Sequence, residues 1–296
     1  KFDIAVLDKY RRDFYIPFNY LVNSQVKNFE TDFNHFIFKT EKYSSLNTYL
    51  GKLTFNNIKQ INKPDLYETR IKTENSFLNS NTTVAYNYSP ELILMPFNNR
   101  KFKGSERSIY NNPFLSMIND AFTMNATKTI YNNINISLGV LNGFLDEKNN
   151  HKIKGTSIGF SASPYSKLLL ASQYNILYEK DTFLATKFNG AMKTNSSRTD
   201  SLNFNATLDF MEDYSLIAQY TTGITKVNTA ENSLVYSVSD LNSDGYSITL
   251  LSNSIFSRND EFSLSYNQPL RVNNGHLFLN IPSGLNLDDT MSFKQK

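Results

Sequence analysis

The sequence predicts an all-β fold, an antiparallel up-and-down β-barrel that occupies a single domain over residues 1–296. Three observations predict it: side chains alternate between apolar and polar, polar turns separate the alternating segments, and the composition favours strands. The 296 residues include 18 Tyr and 23 Phe but only 11 Gly and 8 Pro. Aromatic residues are enriched in strands because they pack well on a pleated surface.

The clearest alternation lies between Ser201 and Phe210, where every second residue is apolar. A strand places all five apolar side chains on one face, whereas a helix would scatter them around its circumference. The acidic pair Glu212 and Asp213 follows, and the alternation resumes at Tyr214. Two alternating segments joined by a short polar turn predict a β-hairpin.

The same alternation recurs along the chain and predicts roughly a dozen or more strands. Its apolar positions are Phe14, Ile16, Phe18 and Tyr20; Ile134, Ile136, Leu138 and Val140; Ile158, Phe160 and Ala162; Leu168, Leu170, Tyr174, Ile176 and Tyr178; Tyr246, Ile248 and Leu250; Phe262, Leu264 and Tyr266; and Leu277, Leu279 and Ile281.

Two environments account for this alternation. The polar partners are mostly small and uncharged, and Tyr stands near several strand ends, as in Tyr20, Tyr88, Tyr178 and Tyr220. A membrane barrel has an apolar outer face, a polar lumen and aromatic residues at both interfaces. A soluble sandwich, whose apolar faces meet in a core, gives the same period of two. Alternation alone does not separate them.

Residues 89–121 interrupt the alternation with Pro90, Pro96 and Pro113. Proline suits the first turn of a helix, and the apolar residues after Pro113 predict a short amphipathic helix. We therefore expect a long irregular loop with one short helix, acting either as a plug or as a linker.

Composition excludes several classes of function. The net charge of +3 comes from 30 basic and 27 acidic residues spread along the chain, which does not give the concentrated basic patch of a nucleic-acid partner. The absence of Cys excludes disulfides, thiolate metal sites and Cys nucleophiles. No apolar run approaches the about 20 residues of a spanning helix, so membrane insertion would use strands. A start at Lys1, without an apolar leader, suggests a piece of a longer or matured chain.

Gly155-Thr156-Ser157 is the one string that suggests a catalytic nucleophile, because subtilisin-like enzymes place their Ser in Gly-Thr-Ser at a helix start. Here the string continues in strand alternation, and a Ser nucleophile also needs a His base and a carboxylate. His35, His151 and His276 are far apart and have no ligand or triad partner at a recognised spacing. We predict no catalytic residues, no cofactor and no enzymatic activity in this chain.

A second string, at residues 240–245, carries Asp240, Asn242 and Asp244 at alternate positions before Gly245. Oxygen ligands at this spacing begin a calcium loop, but the closing position holds Leu251 instead of a bidentate Glu. The alternatives are a calcium-binding turn and a plain polar hairpin turn.

Residues 260–282 contain a more specific pattern: a strand ends in Gln-Pro-Leu-Arg-Val, a Gly turn follows, and a further strand ends in Pro. This resembles a signature near the C-terminus of autotransporter-type subtilisin-like peptidases. Residues 5–14, which end in Asp13 and Phe14, are similar to the junction between passenger and C-terminal domain in that family, and Asn112-Pro113-Phe114-Leu115 is a weaker match. The signature residues are Gln268, Pro269, Leu270, Arg271, Val272 and Gly275.

The resemblance implies a non-catalytic outer-membrane barrel that translocates and anchors a protease passenger in cis, at the surface of a Gram-negative bacterium. It also implies strands beyond Met291, so that the barrel is incomplete at its C-terminal end. Its partners would be outer-membrane lipid or copies of itself. The alternatives are a soluble β-rich surface protein that assembles through strand edges and, with less support because no charged constriction is visible, a porin.

The signature residues carry physical expectations of their own. Pro269 cannot donate to a strand ladder, so it should lie on an edge strand or end the pairing. Gly275 suits a turn. Arg271 should find a lumenal carboxylate or the membrane interface, unless it is a solvated turn residue.

Overall fold

The computed structural model describes residues 3–7, 13–17, 22–24, 39–48, 51–60, 63–75, 80–87, 89–96, 112–131, 133–146, 151–188, 190–211, 213–231, 233–253, 261–285 and 291–296. Within them the chain forms antiparallel strands, two four-residue α-helices and one turn of 3-10 helix (Gly190–Met192), which confirms the all-β prediction. Phe18, Tyr20, His35 and Tyr88 lie outside the described residues. In the described ranges no helix is both long and apolar enough to cross a membrane.

The strands are numbered in chain order, and the helices α1 and α2 both lie between β7 and β8. Their bounds are β1 (Asp3–Leu7), β2 (Asp13–Pro17), β3 (Val22–Ser24), β4 (Lys39–Thr48), β5 (Gly51–Gln60), β6 (Lys63–Asn75), β7 (Ser80–Tyr86), α1 (Pro90–Ile93), α2 (Pro113–Ser116), β8 (Asn119–Tyr131), β9 (Ile134–Asp146), β10 (His151–Tyr165), β11 (Leu168–Lys180), β12 (Thr186–Phe188), β13 (Thr194–Met211), β14 (Tyr214–Thr229), β15 (Val235–Val238), β16 (Leu241–Asn253), β17 (Glu261–Asn274), β18 (Leu277–Leu285) and β19 (Met291–Gln295).

Twelve of these strands form one sheet in the order β4-β5-β6-β7-β8-β9-β10-β11-β13-β14-β16-β17. Each strand pairs with its neighbours in the chain, apart from the short β12 and β15, so the connectivity is up-and-down as predicted. Three small sheets accompany it: β1 with β2, β3 with β12, and β15 with β18 and β19. Pairing between the two edge strands β4 and β17, which would close the sheet into a barrel, is not found in the described part of the chain.

The predicted hairpin at residues 201–221 is present and is longer than predicted. β13 and β14 pair from Thr194 opposite Thr229 down to Met211 opposite Tyr214. The alternation also located β9, β10, β11, β16, β17 and β18. The predicted strands did not include β4 to β8. Residues 39–75 have no sustained apolar period of two, whereas residues 122–126 of β8 do.

The two faces of the sheet have opposite burial and opposite chemistry. On β13, Asn203 is 1% exposed and Asn205 3%, whereas their neighbour Phe204 is 45% exposed and Leu208 is 41%. The same holds on β11, where Gln173 and Asn175 are buried and Leu170 is exposed. A soluble sandwich would bury the apolar face, so this arrangement is the inverse of a sandwich. We call the buried polar face the interior and the exposed apolar face the exterior.

The sheet has two unlike ends. At the short-turn end, strands are joined by residues 49–50, 76–79, 132–133, 166–167, 212–213 and 254–260. At the long-connection end they are joined by residues 61–62, 87–118, 147–150, 181–193 and 230–240. Both helices and the small strands β12 and β15 belong to the long-connection end, so the irregular part of the protein is collected there.

Candidate functional site

The segment between β7 and β8 folds against the interior face of the sheet. Its α2 begins at Pro113, the position predicted from the sequence, and α1 begins at Pro90, which the sequence did not predict as a helix start. The side chains of Leu94 and Leu115 are fully buried, and Phe114 is 2% exposed. We call residues 89–96 and 112–118 the plug, which is one of the two roles expected for this segment.

Interior side chains of three strands hold the plug by its backbone carbonyl groups. Asn125 of β8 donates to the carbonyl oxygen of Ile93 at 2.8 Å. Gln173 of β11 donates to that of Leu94 at 2.7 Å, and Ser161 of β10 to that of Pro96 at 2.9 Å. These carbonyl groups lie at or just after the C-terminal end of α1, where the last carbonyl groups of a helix have no N–H donor within the helix. We call the strands whose interior side chains contact the plug the wall. The wall therefore supplies hydrogen bonds to polar groups that burial of the plug would otherwise leave unpaired.

Gln173 also connects the two halves of the plug. Its side-chain oxygen accepts a hydrogen bond from Asn112 Nδ2 at 3.1 Å, and its Nε2 donates to Ser157 Oγ at 2.8 Å. Asn112 is the N-cap of α2, since its Oδ1 accepts from the backbone N–H of Phe114 at 3.2 Å. One interior glutamine thus fixes α1 and α2 at the same height in the sheet.

Three wall glycines give the plug room. A Cβ on Gly223 would lie 2.5 Å from Phe114 Cζ, and a Cβ on Gly159 would lie 2.5 Å from Pro96 Cβ. A Cβ on Gly139 would overlap Leu94. The plug consequently contacts strands β8, β9, β10, β11 and β14, and Leu270 of β17 packs against the same apolar cluster. Contacts to so many strands require the sheet to curve around the plug.

A buried carboxylate fixes the connection after β11. Glu179 is 5% exposed and accepts three hydrogen bonds at 3.0 Å, from Thr182 Oγ1 and from the backbone N–H groups of Leu184 and Ala185. Leu184 and Ala185 have φ angles of +48° and +57°, a conformation that costs L-residues about 1–2 kcal/mol each. The carboxylate holds this strained turn so that Ala185 joins the apolar cluster around the plug.

The exterior face forms an apolar band with aromatic residues near both ends. Residues from Tyr214 to Ile224 rise about 33 Å along β14, and a strand tilt of 35–45° reduces this to about 25 Å. Exposed aromatic residues at the short-turn end are Tyr131, Tyr165, Phe210, Tyr214 and Phe262, and at the long-connection end Tyr86, Phe122, Tyr174 and Tyr178.

The residues predicted as a calcium-binding turn occupy one edge of β16. Asp240 precedes the strand and lies 3.8 Å from Lys226, whereas Asp244 lies 3.6 Å from Arg271 and accepts a hydrogen bond from Gln268. Asn242 stands between them and is exposed. In the described ranges no group of three or more His, Cys, Asp or Glu that could hold a metal ion is found. Calcium at Asp240, Asn242 and Asp244 stays a prediction.

The signature residues lie on β2, on β17 and in the turn after β17. Pro269 is on an edge strand, at a shift of register opposite residues 244–246, where its missing N–H removes no ladder bond. Gly275 follows β17 with φ of +156° and contacts Leu241. Arg271 is exposed, and its carboxylate partner Asp244 lies on the exterior face, in register with Thr222, and not in the lumen, where a partner was expected. Asp13 and Phe14 pair with Leu7 and Val6 in the β1–β2 hairpin, and Leu270 and Val272 are in β17.

Gly155-Thr156-Ser157 lies in the middle of β10, as the alternation predicted, and not at a helix start. Ser157 is on the interior face, with Gln173 as its hydrogen-bond partner. The sequence did not single out Asn125, Ser161 and Gln173 as plug ligands. Period-two spacing gave the face of Ser161 and Gln173, whereas Asn125 lies in β8, which was not predicted. Nothing in the sequence indicated which polar residues of the interior face would contact the plug.

Comparison with known proteins gives a likeness of fold only. No protein-family model and no curated protein sequence matches the chain. Among solved structures it is similar to OmpT, an outer membrane protein of Vibrio cholerae, with a TM-score of 0.46 and 8% identity over 87% of this chain and 84% of that chain. It is also similar to the NanC porin, with a TM-score of 0.34 and 10% identity over 77% of this chain and 88% of that chain. Likenesses this weak transfer no function.

Proposed function

We propose that this chain is an outer-membrane β-barrel domain that anchors a subtilisin-like peptidase at the surface of a Gram-negative bacterium, and that it has no catalytic role itself. The observation that carries the membrane part is the inverted burial of the sheet. Apolar residues such as Phe204, Leu208 and Ile248 are exposed, while Asn, Gln, Ser and Thr are buried in the interior beside apolar residues such as Leu177 and Ile217. Lipid requires this distribution, because its hydrocarbon covers apolar side chains without cost.

Water would not tolerate the same surface. Monomeric soluble proteins rarely expose a continuous apolar patch larger than a few hundred Å². The exterior of β8 to β17 presents an apolar patch that continues across all of these strands, with an apolar side chain at almost every second position. The band is also about 25 Å high, which is the height of the apolar band on outer-membrane barrels. A soluble, self-assembling surface protein would have to cover this band with copies of itself.

Orientation follows from the two ends. Outer-membrane barrels have short periplasmic turns and longer extracellular loops, so the long-connection end faces outward. β4 enters the twelve-stranded sheet at that end, since Lys39 pairs with Gln60. β3, which precedes it, pairs with β12 in the connection after β11. A passenger attached before these residues would therefore stand on the outer side, which supports the anchoring role.

The plug favours an anchor over a diffusion pore. An open channel needs a continuous polar lumen, whereas the apolar side chains of Leu94, Phe114 and Leu115 are packed against the interior face. The resemblance of residues 5–14 and 260–282 to subtilisin-like autotransporters is the basis for naming the passenger. A porin would need the plug to leave.

Single cysteines test the orientation cleanly, because the chain has none of its own. Asp213→Cys lies in the connection 212–213 at the short-turn end and Glu231→Cys in the connection 230–240 at the long-connection end. In cells that produce the full-length protein, we expect a membrane-impermeant maleimide to label Glu231→Cys directly. Asp213→Cys should be labelled only after the outer membrane is permeabilised. Equal labelling of both, or recovery of the protein in buffer without detergent, would contradict the membrane assignment.

The anchoring role has a separate test. In the full-length protein, peptidase activity should be found on intact cells and should be lost from the cell pellet when residues 39–285 are deleted. The control is the same chain carrying Asp213→Cys, which leaves the sheet intact. Activity that stays cell-bound after the deletion would refute anchoring by this domain without touching its membrane location.

A further inference from the structure

Three cations and one tyrosine form a row across four strands on the exterior face, near the long-connection end. Tyr178 of β11 pairs with Lys154 of β10 on one side and with Arg198 of β13 on the other, and Arg198 pairs with Lys226 of β14. Strands lie about 4.8 Å apart, so these four exposed side chains form a row about 15 Å long. We call Lys154, Arg198 and Lys226 the cation row.

Carboxylates neutralise the row only in part. Arg198 Nη2 lies 2.8 Å from Asp200 Oδ1, and Lys226 Nζ lies 3.8 Å from Asp240 Oδ2, between two largely exposed side chains. Arg198 also lies over the Tyr178 ring at 5.6 Å. Two further exposed lysines of the same face lie nearer the end of the sheet, Lys152 and Lys180. The net charge of this surface is positive.

Below the cation row, the exterior of the same strands holds an apolar groove of about 610 Å³. Its floor is made of small side chains, Ser172, Ala206 and Ala218, which lie in neighbouring strands. Larger side chains flank the floor on both sides: Phe160, Leu170, Phe204, Tyr220, Tyr246 and Ile248. An open apolar channel with aromatic sides suits a flexible hydrocarbon chain.

The distance between the two features fits one lipid molecule. From Arg198 to Phe204, β13 rises about 20 Å, which a tilt of 35–45° reduces to about 15 Å of depth. Half of a hydrocarbon core of about 30 Å is also about 15 Å. A lipid whose head group contacts the cation row would therefore place the ends of its acyl chains in the groove.

We propose that this surface binds a lipid with a phosphate-bearing head group from the outer leaflet. The cation row contacts the phosphate, and an acyl chain lies in the groove. The inference rests on the proposed membrane orientation, which puts the long-connection end outward. Lys and Arg donate charge-assisted hydrogen bonds to phosphate, and Arg does so bidentately. Each cation at a membrane surface adds to the attraction for anionic head groups.

Native mass spectrometry of the folded chain in a neutral detergent tests the proposal. The probes are a diphosphorylated acylated glycolipid, the same glycolipid without phosphates, and inorganic phosphate alone. We expect the diphosphorylated lipid to bind at least tenfold more tightly than its dephosphorylated form. The double variant Lys154→Gln/Lys226→Gln should lower its affinity about tenfold or more.

The matched control is Lys128→Gln/Lys167→Gln, which removes two exposed lysines from the short-turn end and should leave the affinity unchanged. Ala218→Phe fills the groove, so it should lower the affinity for the acylated lipid severalfold. The concentration of inorganic phosphate needed to compete with the lipid should not change. Equal binding of the dephosphorylated lipid would overturn the proposal, as would an equal loss in the control pair. Phosphate that competes at the same concentration as the lipid would overturn the role of the groove.

Failure of the lipid site can be told apart from failure of the membrane assignment. The cysteine-labelling result stands whether or not a lipid binds, so a correctly oriented barrel without phosphate preference would refute only the site. If Lys154→Gln/Lys226→Gln does not fold, the wild-type chain still provides the test through its salt dependence. Raising NaCl should weaken binding because exposed charges are screened, and binding that does not change with salt would overturn the proposal.

Discussion

β13 and β17 have the same alternating sequence but different surroundings. In β13, Asn203 and Asn205 are buried under the plug and the rest of the interior while Phe204 is exposed. In β17, both faces are exposed: Ser263 and Ser265 as well as Leu264. β13 has a paired neighbour on each side, whereas in the described part of the chain β17 pairs with β16 alone. The comparison teaches that a period of two predicts a strand, whereas the burial of its side chains depends on which other parts of the chain pack against it.

The largest effect is expected from a charge in the apolar band. Phe204→Arg on β13 should lower the free energy of unfolding in lipid vesicles by about 2–4 kcal/mol, since an Arg facing lipid at mid-depth is costly. Urea titration measures it. Tyr266→Arg on β17 lies near the same depth and should cost a similar amount if lipid also covers the edge strand. No loss at Tyr266 would mean that β17 lies outside the lipid.

A glycine pair sharpens the comparison at intermediate size. Gly223→Ala sets a methyl group against the buried ring of Phe114 and should destabilise by about 1–3 kcal/mol. Gly245→Ala meets the backbone of β17 at 3.3 Å, and a strand paired on one side can shift, so the cost should be under about 1 kcal/mol. Phe114→Leu should restore part of the loss in Gly223→Ala and none in Gly245→Ala.

A glutamine pair gives the smallest effects. Gln173→Leu leaves the carbonyl of Leu94 and the amide of Asn112 without their partner and should cost about 1–2 kcal/mol. Gln268→Leu on β17 removes one half-exposed contact to Asp244 and should stay within about 0.5 kcal/mol. Thermal unfolding in detergent would compare the two. Equal losses would show that the edge strand is as tightly held as the wall around the plug.

The sequence was sufficient for most strands whose two faces differ, although β7 and β8 were missed. The hairpin of β13 and β14 and the helix start at Pro113 were predicted because period-two alternation and a proline have local causes. β4 to β6 were not predicted, because residues 39–75 have no sustained apolar period of two. Whether the apolar face is outside or inside could not be read either, because alternation is identical for a sandwich and a barrel.

The candidate site divides in the same way. The position of Pro269 on an edge strand followed from the chemistry of a single residue, whereas the carboxylate partner of Arg271 lies on the exterior face and not in the lumen. The plug contacts did not, because Asn125, Ser161 and Gln173 differ from other interior polar residues only in what lies opposite them. The cation row was also missed: Lys154, Arg198 and Lys226 come together only through the register of four strands.

The hydrogen bonds of the plug impose an order on folding. The carbonyl groups of residues 93–96 precede their donors in the chain by 32 residues at Asn125, 65 at Ser161 and 79 at Gln173. Contacts so distant form late, because long loops must close before the contacts are made. Until then the segment has unpaired acceptors and exposed leucines, which is the state that chaperones hold and proteases cut. Assembly of the wall, one hairpin after another, therefore protects the plug segment from proteolysis.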